Sequence, residues 1–110
     1  MASFRQIGEN DWQIGDYRPK VLINRKAAEI LQNHQVSFKE YSEDGLGKAK
    51  SAFFITSNKT QFLVRELLEP KTPITEIFIL NDPNTMENDL NEILGLLRLS
   101  YSDLDFVYKY

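Results

Sequence analysis

At 110 residues the chain is close to the commonest size of a single domain and too short to hold two independent cores. Its 42% hydrophobic content is modest, but thirteen aromatics supply large side chains to bury, which sets disorder aside, and the absence of cysteine excludes disulfides, thiol catalysis and cysteine-ligated zinc. A net charge of −3 is too mild to imply a polyanionic or polycationic partner by itself.

Residues 1–17 are the least patterned. Phe4, Ile7, Trp12 and Ile14 are apolar, Gly8-Glu9-Asn10-Asp11 is rich in turn formers, and the segment reads as a hairpin or an irregular apolar arm. After Pro19, Lys20-Val21-Leu22-Ile23 is a short apolar run that fits either a strand or the opening of a helix. Asn24 then serves as N-cap for a helix over 25–34, in which Ala27, Ile30 and Leu31 form one apolar stripe and Ile23 with Ala28 a hydrophobic staple. Val36–Ser42 alternates as a strand. Glu43–Gly47 is a turn, and Lys48–Ser57, apolar on both faces at Ala52, Phe53, Phe54 and Ile55, reads as a central strand.

The stretch Asn58–Glu69 fits two descriptions. Arg65-Glu66-Leu67-Leu68-Glu69 is strong helix-forming composition, with Asn58 as cap and Gln61 closing a capping box, so helix is the preferred reading. The alternative is a strand after a hairpin at Ser57–Thr60. Pro70 and Pro73 end the segment, and Ile74–Leu80 is a strand. The clearest helix begins at Asp82-Pro83-Asn84-Thr85, with Asn84 and Glu87 as a capping box and Met86, Leu90, Ile93, Leu94 and Leu97 at helical spacing. The tail Leu104–Tyr110 alternates as a final strand, which could pair with a second copy at a sheet edge. The whole chain therefore reads as one α+β domain, a two-layer sandwich. The order of elements suggests a ferredoxin-like βαββαβ core with an added C-terminal helix and strand.

The single histidine, His34, falls at a predicted helix C-terminus and reads as a capping or surface residue rather than a catalytic base. Asp82–Ile93 starts like a calcium loop but has Met86, Glu87 and Ile93 where an oxygen ligand, glycine and glutamate are required. Gly45-Leu46-Gly47-Lys48 resembles a phosphate loop only in part, because the glycine interval is short and Ala49 follows the lysine. The carboxylate pairs Asp103/Asp105, Glu43/Asp44 and Glu66/Glu69 are neighbours in sequence, with no histidine or Gly-rich loop beside them, and read as solvated acids. No cofactor is indicated. Lys48, Lys50, Phe53 and Phe54 imitate the basic and aromatic third strand of an RNA-recognition domain. However, Ser51 replaces its glycine, adjacent phenylalanines must face opposite ways, and the chain is acidic, so nucleic acid is disfavoured.

No apolar run approaches the roughly 18 residues needed to cross a bilayer, and Met1–Arg5 lacks the basic and apolar regions of a secretory leader. A cytoplasmic setting without membrane contact is the expectation. Charge is unevenly spread: residues 18–71 hold ten Lys/Arg against six Asp/Glu, whereas 76–110 hold two against seven. Asp82–Glu92 contains four carboxylates and no basic residue. A small acidic chain with no catalytic residues is expected to bind a protein, as an inhibitor or immunity-type protein neutralises a basic nuclease-like toxin. The expected contact residues are Asp82, Asn84, Glu87, Asp89 and Glu92. The alternatives are a ferredoxin-like RNA-binding domain, or a small enzyme or ligand-binding domain using carboxylates. A homodimer through Tyr108 and Tyr110 is a further possibility.

Overall fold

The structure is a computed structural model that describes residues 3–31 and 34–109. Seven antiparallel strands are formed by the described residues: β1 (Phe4–Ile7), β2 (Tyr17–Ile23), β3 (Lys39–Glu43), β4 (Gly47–Thr56), β5 (Gln61–Leu67), β6 (Ile74–Leu80) and β7 (Phe106–Val107). They make one sheet in the order β1-β4-β5-β6-β2-β7, and β3 pairs with β4 on the same side as β1. β4 is long enough to hold both neighbours in tandem, Gly47–Ser51 against β3 and Phe53–Thr56 against β1. Its expected central position is observed. No helix among the described residues is long and apolar enough to cross a membrane.

Strand alternation divides the sheet into two faces. Ala52, Val64, Ile77, Val21 and Val107 lie in one cross-strand row, and Phe54 pairs with Phe62 beside it. This face packs on α1 (Ala27–Ile30) and α2 (Met86–Leu96) through Ala27, Ile30, Leu31, Leu90, Ile93, Leu94 and Leu97, all within one buried cluster. The rings of Phe54 and Phe62 stack with centroids 5.1 Å apart, and Phe4 meets both edge-on. His34 sits on the outer side of Phe4 at 4.3 Å. The histidine is therefore a packing residue over the β1 end of the core.

A mixed α/β protein is observed, but a ferredoxin-like core is not confirmed. The segment expected to be helical over 58–69 is strand β5, the second of the two sequence readings. Thr56 fixes the reversal: its Oγ1 accepts the Asn58 and Thr60 amides, its amide donates to Thr60 O, and Lys59 takes a left-handed φ of 71°. Helix propensity along Arg65–Glu69 gives way because alternate residues find partners on opposite faces. Glu66 accepts the Ala27 amide at 2.8 Å on the helix side, whereas Arg65 pairs with Glu76 on the other side.

Other departures have equally local causes. The helix expected over 25–34 has one turn, with Gln32 and Asn33 outside the described residues. Lys26 rather than Asn24 is its N-cap, and the Ala27 amide finds its acceptor in Glu66 of β5, while the Asn24 amide donates to Asp105 Oδ2 at 2.7 Å. α2 is capped by Thr85, not by an Asn84/Glu87 box: Asp82 Oδ1 accepts the Asn84 amide instead. The reciprocal box occurs at Ser100 and Asp103, which close a 3-10 turn. The tail forms a strand only at Phe106–Val107, flanked by the Asp105 amide on Leu22 O and the Tyr108 amide on Lys20 O, and Tyr110 lies outside the described residues. No hairpin forms over the described residues 3–17. β1 stands at one edge, and the chain must cross β4, β5 and β6 to reach β2, so residues 8–16 become a strap over the face opposite the helices.

The anchoring of α1 by Glu66 is directly testable. Glu66 is buried, and Thr75 Oγ1 holds the Arg25 carbonyl next to it at 2.7 Å. Glu66→Ala strands a buried amide and is expected to cost about 1–3 kcal/mol in urea unfolding, with Glu66→Gln, which keeps an acceptor, costing less. Equal losses for the two variants would mean that the Ala27 hydrogen bond is not the anchor.

Candidate partner-binding surface

The five sequence-predicted contact residues do not form one patch. A helix advances about 100° per residue, so positions 85, 89 and 92 share one flank of α2 while 87 points the other way. The observed neighbours follow that division. Asp89 receives a hydrogen bond from the Thr85 side chain and feels the charges of Glu92 and Asp82. Glu92 accepts from Asn58 Nδ2 at 2.7 Å, which ties this flank to the β4–β5 hairpin. Glu87 instead lines a hollow on the opposite flank with Lys20, Met86, Leu90 and Tyr101. Asn84 is exposed between the two.

Asp82, Asp89 and Glu92 form the electrostatic centre of the surface. Among the described residues, no Lys or Arg forms an ion pair with any of them. Burial is the main influence that pushes the Asp89 carboxyl above its usual range. The Thr85 hydrogen bond acts the other way, and repulsion from Glu92 and Asp82 adds to the rise. These three acids are thus held near one another without neutralisation.

A second element, the strap, meets the chain just before α2 at Asn81, and no local sequence pattern marks its role. Trp12 of the strap packs on Tyr17 at 4.3 Å and on Phe53 at 4.9 Å. The Gln13 amide donates to Gln61 Oε1, and Asp16 is held by Arg18, by Asn81 Nδ2 and, through its carbonyl, by the Asn81 amide. The Arg18 and Asn81 hydrogen bonds hold the Asp16 carboxyl below its usual range. Between these fixed points Ile14 is fully exposed. Asn81 directly precedes Asp82, so the strap adjoins the entry to α2. A lone isoleucine among turn formers carries no signal of exposure in sequence, which depends on the strap crossing the sheet.

Comparison with protein-family models, with curated proteins and with solved structures finds no match for this chain. What the surface can do rests on its own geometry.

The other candidate residues have structural positions. Asp103 accepts the Ser100 amide and pairs with Arg25, and Asp105 holds the Asn24 amide. Glu66 caps α1, while Glu69 lies against Gly47, where any Cβ would overlap its carboxylate. Asp44 is exposed in the β3–β4 turn, in which Gly45 and Gly47 take left-handed φ values of 81° and 75°. Tyr108 donates to Glu76 at 2.7 Å within its own chain. No group of three or more His, Cys, Asp or Glu side chains suited to a metal is found among the described residues. The basic and aromatic residues of β4 are also separated. Lys50 lies on the helix side, 4.8 Å from the Phe38 ring centroid and 3.9 Å from Glu66, Phe54 is in the core, and Phe53 packs under Trp12 on the other face.

The raised Asp89 carboxyl fixes the sign of a pH effect. A group whose pKa is higher folded than unfolded favours the fold while protonated, and that contribution is lost as pH rises through its folded value. Ionised Asp89 therefore weakens the fold at neutral pH. Asp89→Asn should raise the melting temperature by roughly 1–4 °C at pH 7 and give no gain at pH 3, below the ordinary value of 3.8. A gain of the same size at both pH values would show that charge is not its origin.

Proposed function

We propose that this chain is a non-catalytic protein-binding domain of inhibitor or immunity type, which engages a basic partner through the acidic flank of α2 and the loop before it. The observation that carries the proposal is the gathering of Asp82, Asp89 and Glu92 without a neutralising cation among the described residues. Like charges held together oppose folding. A partner bearing Lys or Arg would relieve that repulsion on binding and would be steered by the same field before contact. Glu92 is oriented for this by Asn58, and Asp82 by the turn it forms with Asn84.

Ile14, exposed on the strap across the other face of the sheet, is the apolar contact we assign to the same partner. Interfaces draw much of their energy from a rigid apolar anchor within a charged and polar rim. The strap supplies such an anchor: Ile14 is exposed, and the residues on either side are tied to Gln61, Tyr17 and Asn81. The partner best suited to this surface has an apolar recess bordered by basic side chains. A nuclease fits that chemistry, because its own substrate-binding face must be cationic.

The test begins with a partner captured at low salt, identified by mass spectrometry and purified. Asp82→Asn, Asp89→Asn and Glu92→Gln combined should slow its association by about tenfold or more at low ionic strength and flatten the dependence on salt. Ile14→Ala should act mainly on dissociation. Association unchanged by the triple substitution removes α2 from the interface and with it the proposal.

A further inference from the structure

The β4–β5 hairpin has a second side, and there the charge is reversed. Ser3, Phe4, Arg5, Ile55, Thr56, Ser57 and Lys59 enclose an open hollow of about 240 Å³ between β1 and the hairpin. Two cations line it and no carboxylate does. Other hollows on the molecule differ: Lys48 shares one with Glu40, and Lys20 shares another with Glu87. Neither the Arg5 nor the Lys59 side chain has a hydrogen-bond or ion-pair partner among the described residues. In a chain where acids outnumber bases, sixteen to thirteen, two cations brought to one hollow without an acid is a specific arrangement.

The backbone at Lys59 supports the same reading. Ser57-Asn58-Lys59 is a three-residue hairpin loop whose last position is left-handed, the place where glycine is preferred. The β3–β4 turn places Gly45 and Gly47 in left-handed conformations, whereas here a lysine occupies one. Arg98 ends α2 in a left-handed conformation too, so conformation alone would say little. What distinguishes Lys59 is the hollow it lines with Arg5. The walls are fixed: the Ser57 amide donates to Ser3 O at 2.8 Å, and Ser57 Oγ accepts the Ser3 amide at 3.2 Å. That leaves the Ser57 hydroxyl proton available as a neutral donor beside the two cations.

We propose that this hollow is an oxyanion site that takes a single phosphate group, with Arg5 and Lys59 supplying charge-assisted hydrogen bonds and Ser57 a third donor. The guanidinium suits two oxygens of a tetrahedral anion, the ammonium acts as a point charge, and the open mouth admits a group attached to a larger molecule. The site is separate from the acidic flank of α2 and does not depend on it.

The experiment is a titration of the ¹⁵N-labelled full chain with inorganic phosphate at constant ionic strength, followed by amide shifts. Saturable shifts confined to Ser3, Arg5, Ser57 and Lys59 are expected, with a dissociation constant of about a millimolar. Lys59→Gly is the decisive variant, because glycine suits the left-handed turn. Its melting temperature should rise or hold while phosphate affinity falls about tenfold. Arg5→Gln should weaken binding similarly without altering the fold. A parallel titration with glycerol phosphate distinguishes sources: equal binding assigns the site to a phosphate monoester, and binding of the free ion alone assigns it to inorganic phosphate. Shifts that never saturate, or that persist in Lys59→Gly, overturn the proposal.

Discussion

Seven residue pairs join β4 to β5, from Ala49–Leu67 to Ile55–Gln61, and within them the rings of Phe54 and Phe62 stack. That ladder decides which face every later residue occupies. Ala52 and Phe54 enter the core with Val64 and Phe62, so the helices must pack on that side. Ser51, Phe53, Leu63 and Arg65 are sent to the other side, where the strap and Tyr108 meet them or their neighbours. A slip of β5 by one residue would turn Phe62 and Val64 away from the helices and bring Arg65 onto the core face. The register is protected by opposite demands: Glu66 must reach the α1 amide, while Arg65 must reach Glu76.

This explains which parts of the fold could be read along the chain. Strands β4 and β6 are legible because their apolar residues run nearly continuously, a signal carried by the segment itself, whereas the short run Lys20–Ile23 of β2 fits a helix opening as well. β5 reads as helix along the chain because its local composition favours helix, and the contacts that overrule it, Glu66 to Ala27 and Arg65 to Glu76, span 39 and 11 residues. The short α1 was overestimated for a related reason: its N-terminal acceptor comes from β5, not from the nearby Asn24. The candidate surface shows the same boundary. Clustering of acids on α2 was visible, but its division into two flanks required the helix to be placed against the sheet. The strap, and Ile14 on it, follow from the separation of β1 and β2 across three strands, which no local pattern encodes.

Buried polar groups show how the fold uses its charged residues. Glu66 and Glu76 are both buried, yet each is engaged by a donor, the α1 backbone and Lys50 for the first, Arg65 and Tyr108 for the second. Burial of a carboxylate is tolerable under those conditions and severe without them. The same logic was not applied on α2. Asp89 is partly buried and faces two other acids. Well-partnered interior acids thus contrast with acids at one surface that have no ion-pair partner among the described residues, and that contrast is what the proposed binding role rests on.

The β4–β5 hairpin sharpens this contrast, because adjacent residues at its tip serve opposite charges. Asn58 turns to Glu92, while Lys59 lines the hollow with Arg5. An ion pair between Lys59 and Glu92 would have neutralised both sites at once, and none forms. A neutral amide holds the acid in its place. Thr56 enforces the geometry by accepting two amides within the loop. Surface ion pairs contribute little to stability, so forgoing this one costs the fold little. It leaves a negative flank and a positive hollow on either side of one turn, each available to a ligand of opposite sign.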